Sequence, residues 1–123
     1  MPEDVHATVV QTSFLELEDK EDVPEELLKF IEQSPKPPIY VGFGSQSNIS
    51  SDKIKKVIIH AINEWNYRFI VSEAWADIRE HVNSDNVYVC HYVPFGKLFP
   101  KLGLVIHHGG TGTFHLAAKA GVP

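Results

Sequence analysis

Leu104-Val105-Ile106-His107-His108-Gly109-Gly110-Thr111-Gly112-Thr113-Phe114-His115-Leu116-Ala117-Ala118-Lys119-Ala120-Gly121-Val122-Pro123 is the stretch that decides the fold. Its first three residues are an apolar run suited to a buried strand. A loop of His, Gly and Thr follows. Phe114, Leu116, Ala117, Ala118 and Ala120 then suit a helix, and Gly121 with Pro123 stops it. Strand, glycine-rich turn and helix in that order make an anion site. The N–H groups of the first helical turn have no helical partner and point at a ligand, and the helix dipole favours negative charge there. The candidate anion contacts are His108 at the strand end, the backbone of Gly110 and Gly112, and Thr113. Thr111 and Thr113 can also cap the helix. Two commoner phosphate templates are excluded. No Lys-Ser/Thr pair follows the glycines, as a P-loop needs, and His115 stands where a dinucleotide fingerprint needs its third glycine. On local chemistry alone, a structural turn that happens to be glycine-rich competes with the anion site.

Upstream, apolar and β-branched runs alternate with helical patterns. Ile39 to Phe43, Arg68 to Ser72 and Asn86 to Cys90 read as strands. Ile54, Val57, Ile58, Ala61, Ile62 and Trp65 recur at helical spacing, with Lys53, Lys55 and Lys56 outside that stripe. Asn48, Ser50 or Ser51 can cap this helix. Phe95 to Pro100 reads as a short helical turn. Strands alternating with helices imply parallel βαβ units, so the expected fold is α/β: a Rossmann-like three-layer domain with a parallel sheet. That domain is expected over residues 37–123. Residues 1–36 are expected to be a linker or interdomain segment with a short helix from Val23 to Ile31. Pro24 suits its first turn, and Leu27, Leu28 and Ile31 share a face. The acidic run from Glu18 to Asp22 reads as solvated linker, and Ser34-Pro-Lys-Pro-Pro38 as a stiff connector.

With 123 residues there is material for one core. A net charge of −5 argues against nucleic acid or an anionic membrane surface as the main partner. A single cysteine, Cys90, forms no internal disulfide and reads as a buried strand thiol. The N-terminus lacks the basic start and apolar core of a signal peptide, and no apolar run is long enough to cross a bilayer, so a cytoplasmic location is expected.

Ligands in open α/β sheets sit outside the carboxyl ends of the strands. Gly42-Phe-Gly44-Ser45 ends the first strand, so Gly44 and Ser45 are further candidates; a plain tight turn is the competing reading. Tyr92-Val-Pro94-Phe95 follows the third strand. Tyr92 can stack on a base, with core packing the alternative, and core packing is the favoured reading of the Phe95 ring. His107 and His108 are adjacent on a strand and point to opposite faces, so they do not share a metal ion, and no Asp, Glu or Cys lies near at ligand spacing. His107 is accordingly expected to matter less for a ligand than His108. His6, His60, His81, His91 and His115 read as surface or structural. No catalytic set of Ser, His and Asp, and no carboxylate pair, can be assembled.

His-His-Gly-Gly-x-Gly-Thr with an Ala-rich helix and Ala-Gly-Val-Pro resembles the nucleotide-sugar signature of UDP-glycosyltransferases, the sterol and macrolide glucosyltransferase branch in particular. Pro38-Ile-Tyr-Val-Gly-Phe-Gly-Ser45 and Tyr92-Val-Pro94-Phe95-Gly-Lys-Leu-Phe99-Pro100 extend the match from about residue 37 onward. Ser72-Glu73-Ala74-Trp75 departs from the family's Ser-x-Gly-Trp by Ala for Gly, with Trp75 expected near the nucleotide pocket. The resemblance implies the donor-binding C-terminal half of a two-Rossmann-domain (GT-B) enzyme. It implies diphosphate contacts from Gly44, Ser45, His108, Gly110, Gly112 and Thr113, and nucleobase contacts from Tyr92 and, through its backbone, Phe95. Tyr92 stands where plant relatives carry a base-stacking Trp, and Phe95 where they carry Gln; the Phe95 side chain offers no donor or acceptor. The implied reaction moves a hexose, glucose by the resemblance, from a UDP-sugar to a hydroxyl of a lipophilic acceptor such as a sterol. No cofactor or divalent metal is expected. The acceptor pocket, the catalytic base and the loop that grips the sugar belong to family segments that this stretch lacks, so the chain is expected to be inactive alone and to need an N-terminal acceptor domain or subunit. Any peripheral membrane contact would come through that missing part. Two alternatives are a non-catalytic nucleotide-sugar-binding subunit and a structural fragment without ligand.

Overall fold

The computed structural model describes residue 10 and residues 12–16, 18–44 and 51–123. Ser45 and the helix-cap candidates Asn48 and Ser50 lie outside the described residues, as does His6.

Four strands form one parallel sheet: β1 (Ile39–Gly42), β2 (Phe69–Ser72), β3 (Val87–Cys90) and β4 (Leu104–His107), in the spatial order β3-β2-β1-β4. The helices are α1 (Glu25–Glu32), α2 (Ser51–Glu64), α3 (Phe95–Leu98) and α4 (Thr111–Ala120). Side chains alternate across each strand, and the two faces bury different sets. Ile39, Val41, Phe69, Val71 and Val87 pack with Ile58, Ala61 and Ile62 of α2. Tyr40, Ile70, Cys90 and Val105 pack with Leu27 of α1, Leu98 of α3 and Ala117 of α4. A sheet covered on both sides needs strands that are apolar throughout. That is why Ile39-Tyr-Val and Phe69-Ile-Val are unbroken apolar runs, all buried. The three-layer expectation holds, and the two-sided burial is its cause.

Several local readings change. Val57 and Trp65 are exposed, and the buried stripe of α2 runs through Ile58, Ala61 and Ile62 with Ile54 and Ile59 beside it. Val57 lies on the flank away from Ile62. Trp65 comes after the last residue of α2 and lines a cleft with Pro37, Ile39, Tyr67, Gly103 and Leu104, at the amino end of the sheet. Residues Glu73–His81, unassigned from sequence, form a 3-10 segment with a break at Trp75. Trp75 and Ile78 anchor it in the core, and Trp75 stacks on Phe43 at 4.9 Å. In α1, Pro24 caps the helix from outside its first turn.

The acidic run is largely exposed, but two of its carboxylates, and Glu16 just before it, have partners. Asp19 Oδ2 accepts the Gly96 N–H at 3.0 Å, Asp22 pairs with Lys97 at 2.7 Å and Glu16 with Lys119 at 2.7 Å. Phe14 stacks on His115 at 4.1 Å. Together these strap the segment across α3 and α4. The Lys119 hydrogen bond holds the Glu16 carboxyl below its ordinary range, and the Lys97 hydrogen bond does the same for Asp22. A depressed folded-state pKa contributes stability that is present above the ordinary carboxylate range and is lost as pH falls through the lowered values. The strap is therefore expected to hold at pH 7 and to release only in acid below the ordinary carboxylate range. Nuclear Overhauser contacts between Phe14 and His115 should vanish on acidification before the helical circular dichroism is lost. Contacts that outlast the protonation of Glu16 and Asp22, followed by carboxyl chemical shifts, would show that the carboxylates do not hold the strap.

Candidate functional site

The sheet order places a switch point beside β1. The chain runs outward from β1 to β2 and β3, then returns to the other side of β1 for β4. Crevices form outside the carboxyl ends at such a point. In register, Gly42 of β1 is paired with His107 of β4, so the loops that follow these two residues rise side by side.

Those loops meet at His108. Gly44 is left-handed, with φ +59, and a Cβ built on it would lie 2.9 Å from the His108 Cε1. A Cβ on Gly110 would lie 2.6 Å from the His108 Nε2. The imidazole thus lies close to the backbone of both glycines. Gly109 is left-handed as well, with φ +86, and its N–H donates to the His107 Nδ1 at 3.1 Å. His107 shares the face of Val105, the face that α4 covers, by strand alternation. It is half-buried, whereas His108 is exposed.

Gly110 is the N-cap of α4, and its carbonyl accepts the Phe114 N–H at 2.9 Å. No side chain caps this end, so Thr111 and Thr113 do not take the capping role open to them from sequence. The peptide N–H groups at Thr111, Gly112 and Thr113 precede the first helical donor, the Phe114 N–H, and have no helical partner, as in any helix. Thr111 and Gly112 are exposed and Thr113 is half-buried. The structure therefore brings Gly44, His108 and Gly110 together, with Gly112 and Thr113 in the first turn of α4 that follows. The far end of α4 closes with Gly121 at φ +69, whose N–H donates to Ala118 while that of Val122 donates to Ala117.

Tyr92, after β3, is 67% exposed, so one face of its ring is free to stack on a planar ligand. The Phe95 ring packs on Phe99 at 4.9 Å and edge-on to Tyr40 at 5.3 Å, inside the α3 side of the core. Cys90 is buried, and desolvation pushes its thiol up to about 11. One pair escaped sequence reasoning. Glu73, just after β2, meets the Nδ1 of His91, just after β3, at 2.9 Å, and both are exposed. The β2–β3 register, with Ser72 beside Cys90, creates this pair, and nothing in the linear spacing of 73 and 91 signals it. Among the described residues no group of three or more His, Cys, Asp or Glu is placed to hold a metal ion, and no helix is long and apolar enough to cross a membrane.

Comparison with known proteins follows the same lines. The family model described as "Erythromycin biosynthesis protein CIII-like, C-terminal domain" matches residues 56–123. The vancomycin aglycone glucosyltransferase of Amycolatopsis orientalis is 38% identical over 99% of this chain and 29% of its own length. The sterol 3-beta-glucosyltransferase UGT80A2 of Arabidopsis thaliana is 34% identical over 94% of this chain and 18% of its own length. The chain thus spans less than a third of these relatives. Among solved structures, the glycosyltransferase VinC in complex with dTDP superposes with a TM-score of 0.60 at 24% identity, over 82% of this chain and 25% of that one. The architecture is that of the C-terminal half of a GT-B glycosyltransferase.

Proposed function

We propose that this chain, which belongs to the family of erythromycin biosynthesis protein CIII-like C-terminal domains, binds the nucleotide diphosphate of a sugar donor in the crevice between β1 and β4. Its relatives transfer sugars, so the chain is part of a transferase family. The observation that carries the reading is the His108 ring seated between Gly44 and Gly110 beside the start of α4. The nearness of an imidazole to a helix start with free peptide N–H groups supports a diphosphate as the ligand. Thr113 would add a hydroxyl and Tyr92 a stacking surface for the base. Ser45 joins the same set by resemblance.

In the whole enzyme, an acceptor hydroxyl oxygen would form a bond to the anomeric carbon as the bond from that carbon to the diphosphate oxygen breaks, with inversion. The hydroxyl proton would pass to a base outside this chain. The groups assembled here would stabilise the charge that builds on the leaving diphosphate. Because that charge is met by helix N–H groups and His108, we propose no divalent metal. UDP is the nucleotide we favour, glucose the sugar and a lipophilic alcohol such as a sterol the acceptor. Kinship to both aglycone and sterol glucosyltransferases supports glucose more than it supports either acceptor.

Titration calorimetry of the chain with UDP, dTDP and UDP-glucose tests this reading. UDP should bind in the micromolar to millimolar range, and UDP-glucose no more tightly. Absence of heat with every nucleotide would sink it. Tyr92→Ala should weaken UDP about fivefold, near the low end of base stacking on an exposed ring, and leave inorganic pyrophosphate unaffected. Equal weakening of both ligands would remove Tyr92 from the base site.

A further inference from the structure

We propose that His107 is a positioning residue: its Nδ1 locks the turn that presents His108 to the anion. This role rests on the donor-site reading above. His107 is the last residue of β4 and is held in register beside Gly42. Its Nδ1 accepts the N–H of Gly109, two residues on, at 3.1 Å. An acceptor must carry the lone pair, so this bond uses Nδ1 without a proton. The bond closes a turn that spans His108 and holds Gly109 in the left-handed region at φ +86. The His108 ring lies beside Gly44 and Gly110, 2.9 and 2.6 Å from the positions a Cβ on each would take. Where this exposed ring sits depends on where its own backbone is set. The His107–Gly109 bond sets it. The sequence alone makes His107 a bystander on the opposite face; the structure turns its ring into the loop.

The chemistry names its own conservative replacement. Asn carries an oxygen two bonds from Cβ, where His carries Nδ1, and Asn side chains readily bond the backbone two residues on. Leu fills similar space without an acceptor. The test compares the parent chain, His107→Leu and His107→Asn by two readouts: water exchange of the Gly109 amide by NMR without ligand, and UDP affinity by calorimetry. His107→Leu should speed Gly109 exchange and weaken UDP about fivefold, the worth of one neutral hydrogen bond. His107→Asn should restore both, with thermal midpoints alike in all three. Unchanged Gly109 exchange in His107→Leu would overturn the proposal. So would unchanged UDP affinity in that variant, or an Asn variant as weak as Leu. If the parent chain binds no UDP, the donor-site reading falls and the positioning role with it, while Gly109 exchange still reports whether the lock exists.

Discussion

His108→Ala is expected to weaken UDP binding about 10- to 150-fold, the equivalent of losing a hydrogen bond to a charged group, roughly 1.5–3 kcal/mol. The fold should not suffer. His108 is exposed, its ring lies beside two glycines, and its removal leaves no buried polar group without a partner. A melting midpoint within a few degrees of the parent, together with the loss of affinity, is the expected pair of results. Pyrophosphate should lose affinity as UDP does, because His108 is assigned to the phosphates and not to the base. An unchanged pyrophosphate affinity would move the anion elsewhere. The same closeness makes Gly110→Ala a second way to the same outcome, because the new Cβ and the His108 ring need the same space.

Phe99→Ala is expected to cost stability instead, by about 3–5 kcal/mol. Phe99 is fully buried in the layer beneath α3 and α4, with its ring 4.9 Å from Phe95 and 5.6 Å from Tyr40. Burial keeps the Tyr40 hydroxyl far above its ordinary range, as expected beside so apolar a stack. A loss this large is a major share of what a domain of this size has. Urea unfolding should show it as a lower midpoint with an unchanged slope. A change below 1 kcal/mol would mean that this layer is loosely packed. Phe95 belongs to the same stack, which explains why its ring is engaged in the core.

The strands were legible because a doubly covered parallel sheet writes itself as unbroken apolar runs, and Ile39-Tyr-Val and Phe69-Ile-Val are such runs. The α4 loop was legible because its glycines mark a turn: Gly109 is left-handed and Gly110 lies close to the His108 ring. Other features were not. Glu73–His81 has no regular period, since a 3-10 segment broken at Trp75 matches neither the helix nor the strand template. Val57 obeys the helical spacing of its neighbours and is still exposed, because spacing defines a face and not its width. The pairs of Glu16 with His115 and Lys119, and of Glu73 with His91, depend on which strand lies beside which and on where the N-terminal segment returns. No local pattern carries that. His107 fell between: its residue type was visible, but the direction of its ring was not.

The strand order has a kinetic side. Ile39 pairs with Leu104 and Gly42 with His107, so the two walls of the crevice come from opposite ends of the ordered domain. Closing so long a loop costs entropy before any contact repays it, and parallel pairings of this kind form slowly. Pairing of β1 with β2 and of β2 with β3 spans shorter loops and can come first. As the chain emerges from the ribosome, the β3-β2-β1 side can gather while β4 and α4 are still to be made. The site proposed around His108 forms only when β4 and α4 dock beside β1, so it depends on the slowest of the sheet's pairings.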